Sequence, residues 1–161
     1  MRVSYFVTAI FLTVSVSVSA CADPRPPEKP LPHTVLVINA DAGPLRFDVE
    51  VAADSRSQEY GLMNRKSLPR RTGMIFDFHS PSMVSFWMKD TLIPLDMIFI
   101  RQNGTISSIA PDAVPMSLDS IPSTEPVRAV LEIGGGEAAK LGIFPGQEVH
   151  NAIFRNAVKT D

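Results

Sequence analysis

Short runs of alternating apolar and polar residues, separated by turn-forming residues, constrain the fold of this chain more than any other feature. Between residues 45 and 51 every second residue is apolar (Leu45, Phe47, Val49 and Val51), which is the period of a strand with one buried face. The preceding Asp41-Ala42-Gly43-Pro44 has the composition of a turn. Similar short runs recur as far as residue 158, so the pattern predicts an all-β fold.

Two short helices interrupt the predicted strands. Ser55 with Gln58 has the capping-box pattern at the start of a first helix, Ser55–Met63, and Glu137–Leu141 is the second. Asn103-Gly104 between apolar runs indicates a hairpin. The predicted strands are 33–39, 45–52, Met74–Phe78, Val84–Lys89, Leu95–Ile100, Thr105–Ala110, Val127–Ile133 and 148–158. Together these elements predict a single compact β-sandwich or partly open barrel with two short helices.

Residues 1–20 are typical of an export signal. Arg2 supplies the positive start, a mostly apolar stretch follows, and Ser19 and Ala20 are the small residues of a cleavage site. Cys21 is the one cysteine of the chain and stands where a bacterial lipobox places its lipid-attachment cysteine. Cleavage after Ala22 is the alternative, because Ala20, Cys21 and Ala22 also fit a small-x-small pattern. We therefore expect a periplasmic protein, with an outer-membrane lipid anchor at Cys21 as the favoured form.

Residues 21–32 are predicted to be a proline-rich tether, and residues 33–161 a single β domain. The tether has five prolines between Asp23 and Pro32, a composition that favours an extended, polyproline-like segment. A chain with one cysteine has no internal disulfide, so the domain must be stabilised by its core. The formal net charge of −2 gives no electrostatic reason to bind nucleic acid.

One continuous segment resembles a known family. Residues 61–100 contain Gly-Leu-Met, then a Gly-Met-Ile-Phe-Asp-Phe strand, then the run Phe-Trp-Met-Lys-Asp-Thr-Leu-Ile-Pro-Leu-Asp-Met-Ile-Phe-Ile. This succession is similar to the signature of the uncharacterised family known as domain of unknown function one-nine-two, and the resemblance extends over residues 49–151. It implies a compact β domain and assigns no catalytic residues.

Trp87, Lys89 and Asp96 are the candidate ligand-binding residues. Trp87 and Lys89 share one face of the predicted strand Val84–Lys89, and a short link would return Leu95–Ile100 antiparallel to it, with Asp96 near Lys89. A carboxylate among isoleucines needs a partner, because an unpaired buried charge is unfavourable. Two interpretations remain open: a binding site at the wall of a partly open cleft, or a structural ion pair beside a tryptophan.

Three classes of function are compatible with these residues. The leading hypothesis is a non-catalytic module that binds a small ligand or an envelope partner. The second is a hydrolase with Asp96 and Glu132 as paired carboxylates, which requires both carboxyl groups to face one open cleft. The alternation around Glu132 predicts instead that this residue is exposed. The third is a structural accessory lipoprotein, which would have an exposed apolar patch.

No metal or cofactor site is predicted. His33, His79 and His150 are scattered and lack the spacing of metal ligands. Gly134-Gly135-Gly136 superficially resembles a nucleotide-binding turn, but no second parallel strand follows it. These glycines are better explained as a tight connection between a strand and a helix.

Overall fold

The structure is a computed structural model that describes residues 24–157, so the predicted export signal and Cys21 lie outside the described residues. Within that range, no helix is long and apolar enough to span a membrane. The strands described are β1 (His33–Ala40), β2 (Gly43–Ala52), β3 (Thr72–Ser82), β4 (Ser85–Phe86), β5 (Leu95–Ile100), β6 (Ile106–Ala113), β7 (Ile121–Pro122), β8 (Val127–Gly134) and β9 (Glu148–His150). The helices are α1 (Ser55–Tyr60), α2 (Glu137–Leu141) and the 3-10 helix Ala152–Phe154.

Seven strands form one curled sheet in the order β6-β5-β8-β3-β2-β1-β9. Neighbouring strands are antiparallel except β2 and β3, which run parallel because the connection through α1 crosses over between them. The two edges meet at one end, where the Ile106 N–H donates to the Gln147 carbonyl at 2.9 Å and Thr105 bridges to Glu148. The sheet is therefore a half-barrel, which confirms the predicted all-β class and the partly open barrel.

The curled sheet buries apolar side chains on both of its faces. The inner core receives residues from all seven strands, as the enclosed face of a half-barrel should; its members include Leu36, Leu45, Ile75, Ile98, Ile106, Leu131 and Val149. The outer core lies on the opposite face of the central strands and includes Met74, Phe76, Met88, Leu95, Met97, Phe99 and Val130. The central strands β5 and β8 are consequently covered on both sides.

The predicted strand Val84–Lys89 is wrong in length and in partner. Only Ser85–Phe86 is a strand, and it pairs with β7 in a separate two-stranded sheet. It could not pair with β5, because β8 pairs along the whole length of β5 on one side and β6 occupies the other. The expected hairpin between Lys89 and Asp96 is therefore not formed.

The first helix is shorter than predicted and has a different cap. Asp54 is the N-cap, and its side chain accepts a hydrogen bond from the Ser57 N–H at 2.9 Å while the Ser57 hydroxyl completes the capping box. Gln58, the expected capping partner, instead donates its amide to the Asp77 carbonyl at 2.8 Å. The helix ends at Gly61, whose φ of 49° favours glycine and whose Cα faces the Phe76 ring too closely for an unstrained side chain.

The described part of the proline-rich segment lies against the domain. Leu31 packs on the outer core, and the Pro32 carbonyl accepts a hydrogen bond from the Val51 N–H at 2.8 Å. Glu28 pairs with Arg56 on α1. Residues 24–32 therefore follow the surface of the domain and do not extend freely away from it.

The end of the chain is less extended than predicted. Among the described residues of the expected strand region 148–158, which end at residue 157, only Glu148–His150 is a strand, and the 3-10 helix follows it. Asn151 caps that helix by accepting from the Ile153 N–H at 3.0 Å, and its amide donates to the Val35 carbonyl at 2.9 Å. These side-chain hydrogen bonds compete with strand pairing and stop β9 after three residues.

Candidate functional site

A cleft of about 750 Å³ opens on the outer face of the half-barrel. Its walls are α1, the residues that follow α1, and the segment around β4; its floor is the central part of β3 and β8. This volume is typical of sites that bind small molecules. The lining residues are Pro24, Ser55, Gln58, Glu59, Tyr60, Gly61, Leu62, Met63, Phe76, Phe78, Val84, Ser85, Phe86, Trp87, Lys89, Thr91 and Glu132.

Aromatic rings dominate the walls of the cleft. Phe86 is the centre of the group and meets Phe76 edge to face, with ring centroids 5.1 Å apart. It contacts Phe78 in the same way at 6.4 Å and, below the cleft, Phe99 at 6.3 Å. Because each ring is fixed by its neighbour, the aromatic walls are formed before any ligand arrives.

Two of the three predicted site residues lie together at the mouth of this cleft. Trp87 is 50% exposed, and the Lys89 ammonium lies over its ring, 5.9 Å from the ring centroid. This is a cation–π contact. An exposed indole beside a cation at the entrance of a cavity matches the expected partly open cleft.

Asp96 lies elsewhere, and the predicted ion pair with Lys89 is wrong. On β5 it lies between Leu95 and Met97 of the outer core, so its side chain points to the opposite face. It is fully buried there, away from the cleft lining. A buried carboxylate requires hydrogen-bond partners, and backbone N–H groups supply them for Asp96.

The Asp96 carboxylate accepts three backbone N–H groups. The donors are Asp112 at 2.9 Å on β6, Gly136 at 2.9 Å, and Ala138 at 2.8 Å in the first turn of α2. Gly136 has a φ of 72° and so turns its N–H toward the carboxylate. The glycine-rich turn thus binds the carboxylate of Asp96, a group of the protein itself. This confirms that the glycines form a tight connection between a strand and a helix. Binding of an anion by backbone N–H groups also explains why the turn resembles a nucleotide-binding turn.

Asp96 and Glu132 point to opposite faces of the sheet. Asp96 is directly across from Ile133 of β8, a member of the inner core, whereas Glu132 is across from Met97 of the outer core. Residues directly opposite each other on paired strands share a face. The two carboxyl groups therefore cannot flank one substrate, and this geometry excludes the paired-carboxylate hydrolase.

Glu132 is the functional residue that sequence reasoning missed. It is 4% exposed, although exposure was predicted. Its neighbours across the sheet are Met74 on β3 and Met97 on β5. Glu132 lines the cleft, and its carboxyl group has no hydrogen-bond or ion-pair partner within residues 24–157. Arg128 on the same strand is ion-paired with Asp77 instead.

Burial changes the ionisation of this carboxyl group. Desolvation raises the pKa of Glu132 from 4.5 to about 8, because the charged form loses water and gains no partner. At neutral pH the empty cleft therefore contains a protonated, uncharged Glu132. The sequence carries little local signal of this burial, because the residues that share a face with Glu132 on this strand are the apolar Val130 and the charged Arg128.

Metal ligation has no support in the described part of the chain. Among residues 24–157, no three His, Cys, Asp or Glu side chains converge as ligands would. The His79 Nε2–H donates to the Ala53 carbonyl, and the His150 Nε2 accepts from the Asn39 side-chain amide, both at 2.9 Å. The scattered histidines thus have separate local contacts.

The chain belongs to the DUF192 family, which is described as an uncharacterized ACR and whose model matches residues 36–151. A crystal structure of a candidate transcription regulator from Sinorhizobium meliloti 1021 is similar, with 38% identity, a TM-score of 0.76, and coverage of 79% of this chain and 99% of that one. A protein of unknown function from Novosphingobium aromaticivorans is also similar, with 38% identity, a TM-score of 0.74, and coverage of 86% and 99%. The curated proteins contain no match.

Replacing Asp96 with Ala should destabilise the fold by roughly 3–5 kcal/mol, because three buried N–H groups would lose their acceptor. Asp96→Asn should be nearly as harmful, since its amide would present hydrogens to those same donors. Chemical denaturation of both variants measures this. A loss below about 1 kcal/mol for Asp96→Ala would contradict the three hydrogen bonds described here.

The stability of the protein should fall as pH rises from 4.5 to about 8 because of Glu132. In this window the folded state keeps the proton that the unfolded state loses, so the slope is as much as about 1.4 kcal/mol per pH unit. Glu132→Gln mimics the protonated form and should remove this contribution. Urea denaturation at several pH values should show the stability advantage of Glu132→Gln growing with pH.

The matched control for that experiment is Glu59→Gln, an exposed acid of the same cleft. Its stability difference from the parent protein should stay constant across the window. If the advantage of Glu132→Gln were equally constant, the raised pKa of Glu132 would be wrong.

Proposed function

We propose that the protein is an exported envelope protein that binds a small ligand, without transforming it, in the cleft entered beside Trp87 and Lys89. One observation carries this proposal: the cleft has aromatic walls and, at its floor, a buried carboxyl group that finds no partner within residues 24–157. A buried polar group that the protein itself leaves unsatisfied is destabilising. A ligand that satisfies Glu132 would recover that free energy in the bound state.

The absence of a second catalytic group in position favours binding over catalysis. Glu132 is the one buried acid among the lining residues, and Glu59 lies exposed on α1. Asp96 is on the other face of the sheet, where its carboxylate accepts three backbone hydrogen bonds. Hydrolysis by two carboxylates requires both carboxyl groups to face each other across one cleft. Asp96 does not face the cleft, so the hydrolase alternative lacks its second carboxylate.

The description of the Sinorhizobium meliloti protein as a candidate transcription regulator is not extended to this chain. The net charge of −2 gives no electrostatic reason to bind a phosphate backbone. Arg65, within the most basic stretch, donates both guanidinium ends to Glu50. The export signal at residues 1–20 also argues for an envelope location, away from the chromosome.

A structural accessory role remains a second candidate, because one surface carries several exposed apolar side chains. The segments 83–92 and 114–118 are joined by hydrogen bonds from the Met88 N–H to Ser117 and from the Met116 N–H to Thr91. The exposed apolar residues on them are Met83, Trp87, Leu92, Val114, Met116 and Leu118. Such a surface is typical of a contact with another protein or with lipid.

The location is tested at Cys21. If Cys21 carries the lipid anchor, Cys21→Ser should move the protein from the membrane fraction into a soluble or unprocessed form. Fractionation of cells that express the two forms, with metabolic labelling by a fatty acid, measures this. Equal recovery of both forms in the soluble fraction would contradict the lipid anchor and leave cleavage after Ala22.

Ligand binding is tested through Trp87, which is the only tryptophan of the chain. We expect at least one class in a panel of sugars, aliphatic amines, carboxylates and aromatic alcohols to change the Trp87 emission saturably and to protect it from acrylamide. Filling the cleft with Glu59→Phe should abolish this response. Val35→Phe, which changes a partly exposed residue outside the cleft, should leave it intact.

Failure of every class in the panel would contradict the binding proposal. So would a response that survives Glu59→Phe. Either result would leave the exposed apolar surface as the basis of function.

A further inference from the structure

We infer that the ligand of this cleft is an organic ammonium ion, held with its positive charge against the Glu132 carboxylate and its alkyl groups among the aromatic rings. This inference rests on the proposed binding function and names the chemical class of its ligand. The reasons are the position of Glu132, the nature of the walls, and the distribution of charge around the cleft.

The position of Glu132 calls for a cation in particular. Its carboxyl group lies at the floor of the cleft on the central strand β8, with the apolar Met74 and Met97 directly across on the neighbouring strands. No group within residues 24–157 donates to it or pairs with it. A neutral hydroxyl would supply one hydrogen bond, whereas a cation also supplies the opposite charge that a desolvated carboxylate lacks.

The walls are of the kind that bind an alkylated ammonium group. Tyr60, Phe76, Phe78, Phe86 and Trp87 all line the cleft. Aromatic faces are electronegative and attract cations, and quaternary ammonium ligands are recognised by cages of such rings. A hydrated metal ion or a phosphate would gain little from these surfaces, whereas N-methyl groups combine apolar contact with positive charge.

The charges around the cleft direct the cation to its floor. Besides Glu132, the titratable groups that line it are Glu59 and Tyr60 from α1 and Lys89 from the segment after β4. The Lys89 ammonium lies over the Trp87 ring at the mouth. Like charges repel, so the ligand ammonium belongs at the inner end, beside Phe76 and Glu132, away from Lys89.

Binding of a cation is linked to loss of a proton. The empty cleft holds Glu132 protonated at neutral pH, because burial raises the pKa of this carboxyl group to about 8. A bound ammonium favours the carboxylate, so the proton leaves to solvent as the ligand enters. Affinity for a permanent cation should therefore rise with pH up to about 8 and then level off, by at most about tenfold per pH unit.

Choline and its neutral carbon analogue, 3,3-dimethylbutan-1-ol, test the inference directly, because they have the same shape and differ in charge. Titration calorimetry and Trp87 emission on the mature protein should show choline binding at least about tenfold more tightly, which corresponds to about 1.4 kcal/mol. Choline affinity should increase from pH 6 to pH 8. Binding of the neutral analogue should not.

Glu132→Gln keeps the shape of the protonated side chain and removes its ability to become negative. It should weaken choline binding by about tenfold or more, abolish its pH dependence, and leave the neutral analogue unaffected. Glu148→Gln is the matched control, since it removes an exposed acid that lies outside the cleft, and it should change choline affinity by less than about threefold. Circular dichroism confirms that both variants are folded.

The outcomes distinguish the claim that the ligand is an ammonium ion from the claim that the cleft binds a small ligand. If the neutral analogue binds as tightly as choline, or Glu132→Gln binds choline unchanged, the cleft is a binding site but not for cations. If neither compound binds free or on vesicles, the ammonium class is overturned, and the wider panel decides on binding itself.

The same ammonium chemistry has two sources, a free small molecule and a lipid headgroup. Vesicles of phosphatidylcholine and of phosphatidylglycerol distinguish them. Binding to free choline with no preference between the vesicles identifies a soluble ligand. A preference for phosphatidylcholine vesicles that Glu132→Gln abolishes identifies the headgroup, which the exposed apolar residues near the mouth of the cleft would approach.

Discussion

Burial of β8 on both faces is the constraint from which the architecture and the site follow. This strand lies between β5 and β3 in the curled sheet, with the inner core on one side and the outer core on the other. Two of its residues, Arg128 and Glu132, are nevertheless ionisable. Arg128 pairs with Asp77, as a buried charge must. The Glu132 carboxyl group has no partner within residues 24–157 and lines the cleft, so Arg128 has a structural contact whereas Glu132 is a candidate ligand-binding residue.

Asp96 and Glu132 are two solutions to the same problem of a buried carboxyl group. Asp96 is satisfied by three backbone N–H groups and ties β6 and the start of α2 to β5. Glu132 avoids the difficulty by keeping its proton, which burial makes favourable at neutral pH. The first arrangement stabilises the fold. The second leaves a polar group unsatisfied, and a ligand that pairs with this group would remove that unfavourable contribution.

Local patterns in the sequence were sufficient for much of the fold. The bounds of β5 and α2 were predicted to the residue, because a period or a glycine boundary defines each of them locally. Strand pairing was not predictable in the same way. The residues Val84–Lys89 have a strand pattern, but whether they join the sheet depends on β8, a strand far along the chain that takes the place beside β5.

The candidate site was predicted in part for the same reason. Trp87 and Lys89 do lie at one cleft, because residues two apart in an extended segment share a face. Asp96 was assigned to them through a hairpin that does not form. Glu132 was predicted to be exposed from its local alternation, whereas its burial follows from strand order and from coverage by the segment around β4, neither of which is local information.

The ionisation state of Glu132 tests the central claim most directly. Carbon-13 NMR of protein labelled at the glutamate carboxyl carbons, with Glu132→Gln to assign the signal, measures it residue by residue. The account predicts one carboxyl group that titrates near pH 8 in the empty protein and becomes ionised at pH 7 when choline is added. If every glutamate titrated at the ordinary value of about 4.3, Glu132 would be an ordinary solvated acid, and the cleft would lose the feature on which its function is proposed.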